Sequence, residues 1–215
     1  RGRDSAVQVV AFGLGITVLL LLTLVRTDLL DGWRQTLDDD APNHFLINIQ
    51  PQELIGVGAL FQENGVEVPA FTPLVRARMQ TINGQSVKER SYPNEDGEWL
   101  ANREANLSWA AELSSSNEIV GGEWWPSDYA GPPLASIEEE AAMNAGLVIG
   151  DTLQFFVAGR EVEATIASIR KVNWESFQPN FVIVLSPGAL DGMPTTYIAS
   201  MRIEEAKQPM LIELM

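Results

Sequence analysis

HFLINIQPQELIGVGALFQENGVEVPAFTPLVRARMQTI, residues 44–82, reads as strand, helix and strand in succession. His44–Ile49 is a short apolar run behind Pro42. Pro51 sits where proline opens a helix, over Gln52 to Asn64, and Gly65 ends it. In Pro73–Ile82 the side chains alternate: Val75, Ala77 and Met79 on one face, Arg76, Arg78 and Gln80 on the other. That period of two marks a half-buried strand. Asn83-Gly84 then makes a hairpin turn.

Downstream the pattern turns to short strands. Residues 89–106 are polar and read as a loop around Tyr92 to Gly97. Strands are expected at Leu107–Leu113, Thr152–Val157, Glu161–Ile169, Asn180–Leu185 and Thr196–Ile203. Ser136 and Glu139 stand at capping-box spacing and predict a short helix that Gly146 closes. Glu204–Met215 reads as helix, with Pro209 in its first turn. A strand and a helix thus end the chain with no partner strand after them. The expected organisation is an outer lobe in two parts, 42–83 and an incomplete 195–215, around an inserted β-rich lobe, 84–194.

Upstream, Ala6–Val25 (AVQVVAFGLGITVLLLLTLV) carries no charge. Twenty helical residues span about 30 Å, the hydrocarbon thickness of a bilayer. A transmembrane helix is therefore expected, with residues 1–41 forming helix and stalk. Gly32 is the weak point of that stalk, and Trp33 suits a membrane interface. Arg1 and Arg3 before the span, against Asp28, Asp31 and Asp38–Asp40 after it, put the N-terminus inside and residues 42–215 outside. The chain opens on Arg rather than Met and reads as a piece of a longer protein.

Charge narrows the function. The 215 residues hold 14 basic and 29 acidic side chains, a net of −15. Three of the basic ones lie in residues 1–26, so the remainder is more acidic still. Such a surface repels phosphate backbones and argues against nucleic-acid binding. There is no cysteine and one histidine, His44. Thiol nucleophiles, disulfides, Fe–S clusters and His-rich metal sites are excluded. A serine triad would need His44 and a Gly-x-Ser-x-Gly elbow, and the elbow is missing. Glu138-Glu139-Glu140 points in several directions on a helix and belongs to its dipole rather than to a metal. Asp38–Asp40 lacks the glycine and terminal Glu of a calcium loop. No phosphate-binding glycine motif is present. The chain is expected to be non-catalytic and to carry no cofactor.

Tryptophan is the unusual residue. Trp99, Trp109, Trp124, Trp125 and Trp174 fall beyond the apolar span. Core filling and a contact surface both account for them. Adjacent extended residues point opposite ways, so Trp124-Trp125 is the better surface candidate.

Three stretches carry a family resemblance. His44–Gln52 (HFLINIQPQ), Arg103–Trp125 (REANLSWAAELSSSNEIVGGEWW) and Gly146–Ser200 resemble the periplasmic segment of FtsX/MacB-like ABC transporter permeases, the YbbP-like subfamily in particular. The run Arg170–Phe181 (RKVNWESFQPNF) is the most specific. The resemblance implies an α+β fold: a transmembrane helix followed by a two-lobed periplasmic domain, a porter-like strand-helix-strand lobe with a small inserted β lobe, cut off at its C-terminus. It also implies a permease subunit in the bacterial inner membrane. Such a subunit couples ATP hydrolysis by a separate ATP-binding subunit to periplasmic movement, for export or extraction of a hydrophobic or lipid-like substrate. The bilayer and a periplasmic esterase or thioesterase are the further implied partners. Trp124, Trp125, Trp174, Phe177, Pro179 and Asn180 are the candidate interaction residues. The competing readings are a membrane-anchored periplasmic binding or chaperone module without ATP coupling, and an anchored hydrolase.

Overall fold

The computed structural model describes residues 12–26, 41–204 and 206–207. Residues 1–41 and 42–215 form separate compact units. In the first, residues 12–26 are helical and fully exposed (α1). No helix among the described residues is long and apolar enough to cross a membrane. The stalk positions Gly32 and Trp33 lie outside the described residues, as does most of the expected helix at Glu204–Met215.

The second unit is built on a barrel. Its strands are β1 (His44–Ile49), β2 (Thr72–Ile82), β3 (Gln85–Ser86), β4 (Glu104–Trp109), β5 (Asn117–Gly122), β6 (Leu134–Glu138), β7 (Thr152–Val157), β8 (Arg160–Val172), β9 (Ile183–Leu185) and β10 (Thr196–Met201). Its helices are α2 (Leu54–Glu63), α3 (Glu95–Asn102) and α4 (Glu139–Ala145). Six strands close on themselves in the order β2, β4, β9, β6, β8, β7 and back to β2. The β4–β9 and β6–β8 pairs are parallel; the other four are antiparallel. Closure leaves no free edge around the ring.

Alternation explains the interior. Val75, Ala77 and Met79 of β2 face inward, joined by Leu107, Ile137, Leu153, Phe155, Ile166 and Leu185, all buried. A barrel this small is filled by its own side chains. Ala101 of α3 and Ala141, Ala142 and Ala145 of α4 pack on to the same core.

This architecture corrects the expectation of a transmembrane helix followed by two lobes. The strands at 44–49, 72–82 and 196–201 do share a sheet, in the order β1-β10-β2. However, β2 is 11 residues long, and only Thr72–Leu74 pair with β10. Val75–Ile82 run on into the barrel, against β4 and β7. One strand thus belongs to both parts. The β1-β10 extension keeps its own small core of Ile49, Phe61, Ala199, Met201 and Ile203.

Two local expectations also change. Residues 95–102 are a helix rather than a loop. Asn94 caps it through Gly97 N–H, and Glu95, Asp96 and Glu98 fill the first turn, where the helix dipole favours acids. Gly97 is required there: a Cβ would sit 1.9 Å from the Asn144 carbonyl oxygen of α4. Ser136 does not open a helix but lies buried in β6, its Oγ 2.8 Å from Ser168 Oγ. Glu138 is the cap instead, its carboxylate accepting from the backbone N–H of Glu140 at 3.1 Å and of Ala141 at 2.8 Å. Gly146 closes α4 in the left-handed conformation, as the sequence predicts.

Candidate functional site

β8 leaves the barrel at Arg170, and the chain returns at Phe181 to enter β9. Arg170 is fully buried. Its guanidinium donates to the Ser136 carbonyl at 2.5 Å, to the Phe181 carbonyl, and to the Val182 carbonyl at 3.3 Å. The two ends of the intervening loop are therefore tied by one side chain. Burial lowers the guanidinium to about 10, even against the upward pull of the nearby Glu138 carboxylate. It remains cationic at neutral pH. A buried cation held by backbone carbonyls fixes geometry, since arginine's planar fork presents several donors at set angles.

The loop is ordered from within. Asn173 caps a 3₁₀ turn at Trp174–Ser176: its Oδ1 accepts from Glu175 N–H at 3.0 Å and its carbonyl accepts from Ser176 Oγ at 2.8 Å. Phe177 then takes a left-handed backbone, φ 53°. That conformation is costly for a bulky residue and collects at functional sites. Asn180 Nδ2 donates to Ser116 Oγ at 3.2 Å, joining the loop to the start of β5.

The Trp124-Trp125 pair lies nearby. The rings stack with centroids 4.0 Å apart and planes 29° from parallel. Their indole N–H groups donate to neighbouring carbonyls, Trp124 to Ala111 at 3.1 Å and Trp125 to Ala110 at 2.8 Å. Both rings are thus turned toward one segment, although they are adjacent in sequence. Gly122 permits this: it has φ 71°, and a Cβ there would meet the Ala167 carbonyl at 2.1 Å. Trp125 is buried against Phe181 and Val184, whereas Trp124 is half-buried.

Two clefts flank the loop. One, of about 450 Å³, is lined by Trp124, Pro179 and Asn180, together with Ser108, Glu112, Asn117 and Gln178. The other, of about 580 Å³, is lined by Trp174, Asn117, Lys171 and Glu175. The structure therefore gathers four of the six candidate residues at these clefts: Trp124, Pro179 and Asn180 in the first, Trp174 in the second. Trp125 supports the first from behind, and Phe177, 36% exposed, lines neither. A third cleft, of about 690 Å³, lies between the β1-β10 extension and the barrel, with Asn48, Gln50, Arg76 and Thr195 among its walls.

The first cleft offers mainly neutral hydrogen bonding and aromatic contact, whereas the second adds the charges of Lys171, Glu118 and Glu175. Ser108 Oγ donates to the Pro73 carbonyl at 2.7 Å, which occupies its proton. His44 sits elsewhere, at the edge strand β1, its Nδ1 2.7 Å from Asn43 Oδ1. Among the described residues no group of three or more His, Cys, Asp or Glu side chains is placed to hold a metal ion.

No family model matches the sequence. Over 200 residues the sequence is 39% identical to an Escherichia coli (strain K12) protein described as the uncharacterized ABC transporter permease YbbP, an alignment covering 92% of this chain and 23% of that relative. In sequence the chain is similar to a part of that YbbP permease. It spans about a quarter of the length of that relative. At 39% identity over an alignment this long, the YbbP-like relative bears out the resemblance carried by His44–Gln52, Arg103–Trp125 and Gly146–Ser200.

What the residues alone did not disclose is Arg170 as a clamp. It stands at the first position of the most specific run, and Phe181, whose carbonyl it holds, stands at the last. The available signal was an arginine at an inward-facing position of an alternating strand, AXIXSIR, where apolar residues were the rule. Asn117 was missed as well, because an asparagine opening a strand carries no mark of the clefts it will line.

Proposed function

We propose that residues 42–215 are an extracytoplasmic domain of an ABC transporter permease, non-catalytic in itself, in the inner membrane of a bacterium. The observation that carries this reading is the 39% identity to YbbP across nearly the whole chain. The complete protein then works with a separate ATP-binding subunit and converts ATP hydrolysis on the cytoplasmic side into movement of this domain, in the manner of FtsX/MacB-like permeases. The acidic surface and the absence of cysteine suit an exposed extracytoplasmic position. The substrate class is hydrophobic or lipid-like. The Arg170-clamped loop and the stacked tryptophans are the parts of the domain built to meet another molecule, because they combine aromatic surface with fixed backbone.

The test uses the full-length permease. Co-expression with its ATP-binding subunit is expected to give a complex that co-purifies and hydrolyses ATP. Substituting the phosphate-binding lysine of the partner should abolish function in cells. A full-length protein that keeps its function when the partner is deleted would sink the transporter reading and favour a binding module without ATP coupling. Topology is tested separately: a reporter active only outside the cytoplasm, fused at the exposed Ala158-Gly159 turn, should be active.

A further inference from the structure

The 450 Å³ cleft beside the Arg170-clamped loop has a composition that selects a ligand class. Its size falls within the range of small-molecule sites. Among the described residues no Lys, Arg or His lines it, and Glu112 is its one charged side chain. Phosphorylated and carboxylate ligands therefore meet no counter-charge. Leu113, Phe181 and Val184 supply apolar wall, but an alkyl chain alone would strip water from the hydroxyl and amide groups beside them without replacing their hydrogen bonds. Ser114, Asn117, Gln178 and Asn180 offer both donors and acceptors. The buried Asn117 Oδ1 has no hydrogen-bond partner among the described residues. Trp124 adds an aromatic wall. One ring face stacks on Trp125 and the indole N–H is engaged by Ala111, so what remains for the cleft is flat apolar ring surface.

We propose that this cleft binds a neutral saccharide of mono- or disaccharide size. A sugar ring presents C–H groups on one face and hydroxyls around its rim. The first matches Trp124 and the second matches the amide and hydroxyl walls. This inference rests on the cleft alone and stands whether or not the permease reading does.

The test titrates the 215-residue chain with maltose and N,N′-diacetylchitobiose. Glucose 6-phosphate, laurate and an uncharged capped Ala-Asn-Ser peptide serve as competing chemistries. Tryptophan fluorescence and saturation-transfer NMR report binding. At least one neutral disaccharide should bind saturably, with saturation strongest on the C–H protons of one ring face. Glucose 6-phosphate should bind at least about tenfold more weakly, because it brings a second negative charge beside Glu112. Gln178→Ala, at an exposed position, should weaken binding about fivefold or more. Trp124→Phe should also weaken it while leaving the far-ultraviolet circular dichroism spectrum unchanged. The proposal is overturned if neither disaccharide binds, if both variants bind as the parent does, or if the peptide or laurate binds there in place of the sugars.

Discussion

The barrel interior and the Arg170–Phe181 loop hold their shapes by opposite means. Most of the barrel core is apolar, a cluster that runs from Val75 to Leu190, so this part of the structure rests on many small, interchangeable contacts. The loop rests on a single buried cation and three backbone carbonyls. Dispersion contacts tolerate repacking, whereas a buried polar network tolerates no missing member. Damage to the barrel should therefore spread through the unit, and damage at Arg170 should stay near the loop. The loop is where the aromatic side chains and the clefts lie. The barrel serves as the rigid support that such a loop needs.

The largest effect is expected in the barrel. Phe155 is fully buried at its centre, and Phe155→Ala should cost about 4 kcal/mol, read as a fall in the urea midpoint. A loss below about 1 kcal/mol would mean the interior is loosely packed. Arg170→Met comes next, at about 3 kcal/mol, because it keeps much of the volume but leaves three carbonyls short of donors. If Arg170→Met matched or exceeded the parent in stability, the clamp would be replaceable by packing and the contrast would fail.

A smaller loss, about 1 kcal/mol, is expected for Glu138→Ala, which removes the cap of α4. Thermal melting with and without that substitution measures it. The smallest effect should be Trp174→Ala, within about 0.5 kcal/mol, since that ring is 53% exposed. Trp174→Ala sharpens the comparison: a side chain in the most specific run is expected to contribute nothing to folding.

The two regions also differed in how far the sequence disclosed them. Alternation in Val75, Ala77 and Met79 and in Thr152–Val157 revealed the strands, because burial on one face imposes a period of two. Which strands join was not legible: closure depends on β7 pairing with β2 across about 70 residues, and no local pattern encodes that partner. Treating residues 72–82 as belonging to one lobe followed from their position after a helix, whereas their length lets them serve two sheets. Helix α3 was hidden by Gly97, which weakens helix propensity but is needed where α4 passes close. Ser136 and Glu139 matched a capping box by spacing, yet the residues before Glu138 were apolar enough to be drawn into β6 as a buried strand. At the candidate site, the Arg170–Phe181 run stood out as a motif, while the reason for it, a bond from its first residue to its last, exists only in three dimensions.

Hydrogen exchange on the Arg170→Met variant, compared residue by residue with the parent, tests most directly whether Arg170–Phe181 is one closed unit on an independent barrel. The expected result is a loss of protection larger at the amides of Glu175, Ser176 and Gln178 and of Glu138, which bonds the Val182 carbonyl, than across the β7-β8 hairpin, which falls only with global stability. Equal loss across loop and hairpin, or no loss in the loop, would contradict it.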